Sequence, residues 1–97
     1  MRISVTGIAW YKREDYERLR ALFMDGDKLP STYDQWLNKA EDIVNQFRSN
    51  GQAFQKVYID PNTFADWCSA RGLDIDAKAR MRFSNEGAAG KHGDRDG

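Results

Sequence analysis

The chain has 97 residues, enough for one domain, and its 40% hydrophobic and 31% charged composition is that of a folded globular protein, not a disordered one. Fifteen basic residues balance fifteen acidic ones, with no basic block and no acidic tail, so the basic excess usual in nucleic-acid binders is missing. One cysteine, Cys68, excludes an intrachain disulfide framework, and no run approaches the ~20 apolar residues of a membrane span or forms a signal peptide, which together predict a cytoplasmic protein.

The first predicted element is a strand over residues 3–10. Ile3 and Val5 alternate with Ser4 and Thr6, and Ile8 and Trp10 continue the alternation on the other parity, which makes Gly7 a candidate bulge. From Lys12 the period changes to that of a helix, with Tyr16, Leu19, Leu22 and Phe23 on one stripe. Asp25-Gly26-Asp27 ends it, Gly26 being suited to the left-handed conformation found just past a helix.

The second helix has the strongest pattern in the chain. Thr32 and Gln35 fit a capping box. Tyr33, Trp36, Leu37, Ala40, Ile43, Val44 and Phe47 then hold one face, while Asp34, Asn38, Glu41, Asn45 and Arg48 hold the other, and Asn50-Gly51 stops the helix. Residues 52–59 are rich in β-branched and aromatic side chains and predict a second strand. Asp60-Pro61 is an N-cap followed by the proline favoured at the first helical position, opening a third helix that turns Phe64, Trp67 and Cys68 inward and closes at Gly72. Asp76 caps a fourth helix whose apolar side is Ala79 and Phe83, with Met81 a further candidate.

The expected architecture is therefore a single α+β domain over 1–86 in the order β-α-α-β-α-α, with a flexible glycine-rich tail over 87–97. Two helices between the strands are expected to bring the chain back to its starting end, giving a small antiparallel two-stranded sheet packed by helices. Two strands alone make a weak sheet. A second copy adding strands at an exposed edge is one remedy, so a homodimer is expected.

No catalytic constellation emerges, and the chain is expected not to be an enzyme. His92 is the one histidine and lies in the tail, and Cys68 follows Trp67 on the inner face of a helix, where a thiol acts as a small hydrophobe. No cofactor or metal site is expected, because the single histidine and cysteine are far apart and Asp25-Gly26-Asp27 is not continued by a calcium ligand series. The leading expectation is a protein-interaction or self-associating module, with Trp10 and Tyr11 as interface candidates where the strand meets the charged run Lys12-Arg13-Glu14-Asp15. The alternative is a nucleic-acid-binding regulator. Residues 61–85 have a helix-turn-helix outline that offers Arg71, Lys78, Arg80 and Arg82, although Arg71 and Lys78 fall where that motif wants buried apolar side chains.

Val57-Tyr58-Ile59-Asp60-Pro61, with Phe64, Trp67-Cys68, Arg71-Gly72-Leu73, Ala79-Arg80 and Phe83, resembles a segment recurring in short bacterial proteins of unassigned function. The resemblance extends to Trp10-Tyr11 and to Leu29-Pro30, Tyr33 and Trp36. It implies no activity and transfers no functional residue.

Overall fold

A computed structural model describes residues 5–88. Strand β1 (Thr6–Trp10) leads through a short 3₁₀ turn (Arg13–Asp15) into helix α1 (Tyr16–Leu22). A second 3₁₀ turn (Gly26–Lys28) precedes helix α2 (Tyr33–Ser49), followed by strand β2 (Phe54–Tyr58) and helices α3 (Pro61–Arg71) and α4 (Ala77–Ala88). Helix α4 continues two residues into the stretch expected to be a tail, and 89–97 lies outside the described residues.

The two strands pair parallel, not antiparallel as expected, with Thr6 opposite Phe54 and Trp10 opposite Tyr58. The reason lies in which helix moves the chain. Helix α1 has seven residues and stays beside the end of β1, where its Tyr16 ring lies 6.1 Å from Tyr11 and 6.0 Å from Trp36. Only α2 makes the return journey. Its 17 residues span about 25 Å. Trp36 near its start lies 5.1 Å from Trp10, and Phe47 near its end lies 5.9 Å from Phe54. A single long crossover delivers β2 to the end where β1 began, which is the condition for a parallel pair.

Each face of this sheet carries one long helix. The Trp10 and Phe54 contacts place α2 on one face, and α4 lies against the other, its backbone at Ser84 passing directly over Gly7. Gly7 is no bulge, because the register runs unbroken through it. Its lack of a side chain is what lets α4 approach. The core joins two ring clusters: Trp10, Tyr11, Tyr16, Tyr33 and Trp36 around the start of α2, and Phe23, Phe64, Trp67 and Phe83 among α1, α3 and α4. Tyr11 and Phe23, 5.8 Å apart, connect them.

The caps follow local chemistry. Thr32 Oγ1 accepts from the Gln35 amide at 3.2 Å, Asp60 Oδ2 from Thr63 at 2.9 Å, and Asp76 Oδ1 from Ala79 at 3.0 Å. The capping box is half formed, since the Gln35 side chain meets the Ser31 hydroxyl instead. Gly72 ends α3 with φ at 66°, the left-handed geometry glycine adopts without strain. Gly26 does not serve that role. It opens a 3₁₀ turn tucked against the Arg20 carbonyl, where a side chain would collide.

Asp25, in the turn that follows α1, receives both guanidinium nitrogens of Arg80 from α4, at 2.8 and 3.1 Å. This bidentate pair lies largely out of water, at 10% side-chain exposure for Arg80 and 23% for Asp25. The hydrogen bond from Arg80 holds the Asp25 carboxyl below its ordinary 3.8. A depressed carboxylate stabilises the fold above its unfolded value, and that contribution fades as pH falls through the folded value. Asp25→Ala should cost about 3 kcal/mol at neutral pH, because Arg80 is left buried and unpaired. In melting curves the gap between wild type and variant should narrow on acidification below the ordinary carboxylate value. A gap that stays constant into acid would show that the pair contributes nothing through its charge.

Candidate functional site

Trp10 and Tyr11 do not form a surface. Each is 4% exposed, and both rings pack on Trp36. Burial pushes the Tyr11 phenol up to about 12 against the opposing pull of Arg80, so it stays neutral within the core. Both rings belong to the core of the single chain, where the strand end is covered by α2 and by the segment carrying Tyr16.

The four cations of the helix-turn-helix outline do not converge. Arg80 is buried against Asp25 and stacks over Phe23 at 4.3 Å. Arg71 folds back over the Trp67 ring at 4.5 Å and donates to the Trp67 carbonyl. Arg82 pairs with Glu86 at 3.0 Å. Lys78 is exposed in a shallow depression shared with Asp74 and Asp76, whose carboxylates offset its charge. Cys68 is buried, and burial pushes its thiol up, the opposite of what an activated nucleophile requires. His92 lies outside the described residues. Among the described residues, no three His, Cys, Asp or Glu side chains gather as metal ligands, and no helix is long and apolar enough to cross a membrane.

The open edge of β1 is built differently. Thr6 N–H donates to the Ala53 carbonyl and the Trp10 carbonyl accepts from Ile59, so the peptide groups of Thr6, Ile8 and Trp10 point toward β2. Those of Gly7 and Ala9 therefore point away from it. The outward Gly7 N–H is taken by the Asn85 side chain of α4, with Oδ1 accepting at 3.0 Å. Ala9 N–H and C=O find no partner among the described residues.

Around this edge lies a groove of about 360 Å³, with Ile43 and Phe47 of α2 on one rim and Ala77, Arg80, Met81, Ser84 and Asn85 of α4 on the other, the Arg80 guanidinium being paired with Asp25. Ile43 is 45% exposed and Met81 is 66% exposed. Val5, which immediately precedes the strand, is 42% exposed. No charged side chain stands on β1, whose sequence is Thr-Gly-Ile-Ala-Trp. The opposite edge of the sheet is guarded. Strand β2 carries Gln55 and Lys56 exposed to solvent, with Lys56 over the Trp10 ring at 4.2 Å, and lysine on an edge strand opposes further pairing. One edge is charged and one is bare.

The sequence held part of this signal. The uncharged run 6–10 beside the lysine-bearing 54–58 is legible, but Ile43 reads as part of the apolar face of α2 and Met81 as a further candidate for that of α4.

No curated protein and no solved structure matches the chain. Residues 3–93, nearly its whole length, match the family described as Domain of unknown function (DUF8829), and the resemblance to a small family of unassigned function is thereby shown: the chain belongs to that family.

Proposed function

We propose that this chain is a non-catalytic self-associating module that forms a homodimer through the open edge of β1. The observation that carries the reading is the asymmetry of the sheet: an uncharged edge rimmed by exposed Ile43 and Met81, opposite an edge bearing Lys56. Two strands are too few for a stable sheet without cover, and an unguarded edge is the standard template for added strands. Fifteen charges of each sign leave no net repulsion between copies. The nucleic-acid alternative draws less support, because Arg80 is committed to Asp25 and Arg82 to Glu86.

Light scattering behind size exclusion tests the proposal. The expected species has twice the 11.2 kDa of the chain and is insensitive to salt. Ala9→Pro removes an outward N–H while leaving the β1–β2 ladder intact, since proline is tolerated on edge strands. It should give a monomer with unchanged circular dichroism. A wild type that stays monomeric at every concentration overturns the reading, as does a proline variant that remains dimeric.

A further inference from the structure

We infer that the two copies join antiparallel about a two-fold axis at Ile8, making one four-stranded sheet in the order β2-β1-β1-β2, and that Asn85 releases Gly7 as they do. This rests on the homodimer reading and adds its geometry. A two-fold axis perpendicular to the sheet makes like strands antiparallel and brings the same surface of each copy together. With the axis at Ile8, the outward peptide of Gly7 lies opposite that of Ala9 in the other copy. The two residues then exchange both backbone hydrogen bonds, and the symmetric pair does the same. Gly7 N–H cannot serve Ala9 of the other copy while Asn85 Oδ1 holds it at 3.0 Å, so the Asn85 contact and the second strand compete for one donor.

The dimensions favour a second copy over a lone peptide strand. Strands lie ~4.8 Å apart, so two of them span about 10 Å. Packed helices are also separated by about 8–10 Å. One helix per face therefore covers its own two strands, and extending the sheet sets α2 against α2 on one face and α4 against α4 on the other. Ile43 and Met81 fall on these two seams, which accounts for their exposure in the single chain. A lone strand would leave both side chains uncovered. The assembly also closes, because among the described residues the edges left after pairing are the two that carry Lys56.

Single-cysteine cross-linking with a short bismaleimide tests the arrangement. Met81→Cys and Ile43→Cys are exposed replacements, and Cys68 is buried. One engineered cysteine links two copies only where a residue meets its own symmetry mate. Both variants should cross-link in dilute solution, whereas Asn62→Cys on α3 should not. Asn85→Ala should lower the dimer Kd roughly three- to tenfold, the size of one net hydrogen bond. A dimer seen by light scattering in which Met81→Cys and Ile43→Cys do not both link overturns the continuous sheet and leaves the homodimer standing. An unchanged or weaker dimer in Asn85→Ala overturns the register at Gly7. A wild type that is monomeric throughout removes the homodimer itself.

Discussion

Gly7→Ala is expected to cost about 3 kcal/mol or more, at or beyond the upper end of overpacking in a closed core. A methyl group on Gly7 would overlap the backbone carbonyl of Ser84 and crowd the Asn85 amide. No side-chain rotation relieves that collision, because every atom it meets is main chain, so α4 must lift from the sheet. Lifting α4 also withdraws Ala79 and Phe83 from the core and strains the Asp25–Arg80 pair. For a domain of this size the melting temperature should fall by roughly 15 °C. Gly72→Ala is the control. Its φ of 66° penalises any side chain, but the space around it is open, so about 1 kcal/mol is expected. Thermal melts of the two variants decide the matter, and equal losses would show that α4 does not bear on the strand.

Trp36→Ala should cost about 3–5 kcal/mol. Its ring lies 5.1 Å from Trp10, 4.7 Å from Tyr11, 6.0 Å from Tyr16 and 5.3 Å from Tyr33, so one truncation empties the centre of a five-ring cluster. Those rings come from β1 and the residue after it, from α1 and from α2 itself, and the turn that carries Pro30 is tied to the same cluster by the Tyr16 hydroxyl, which donates to the Pro30 carbonyl at 2.6 Å. Trp36→Phe should restore much of the loss, since it keeps an aromatic face in the same place. Denaturant titration with an unchanged m-value checks the prediction, and a loss under about 1 kcal/mol would place the ring outside the core.

What could be read from the sequence was what local chemistry decides. The span of α2, the Asp60-Pro61 start of α3, the Asp76 cap and the Gly72 stop each depend on residues within a few positions of one another, and each is found as expected. Strand direction depends on how far each intervening helix carries the chain. Composition did not reveal that α1 stays in place while α2 does the travelling. Gly7 read as a bulge because its actual neighbour is 78 residues away in sequence. Arg80 sat between Lys78 and Arg82 as if on a basic face, and nothing near it announced Asp25, 55 residues earlier. Ile43 and Met81 were misjudged for a geometric reason. An apolar stripe shows that a helix packs, but the width of the sheet beneath it decides which margin of the stripe is covered, and a two-stranded sheet is narrow.

The contact between Gly7 and Asn85 also bears on synthesis. Strand β1 leaves the ribosome well before α4, the helix that covers one of its faces, and its sheet neighbour among the described residues begins at Phe54. The growing chain must therefore hold the Gly7 face of β1 without its final cover until α4 has been made. Closing that face is a long-range event, which slows folding relative to local contacts. Chains truncated before residue 85 should keep the Gly7 face of β1 uncovered, a form suited to chaperone capture.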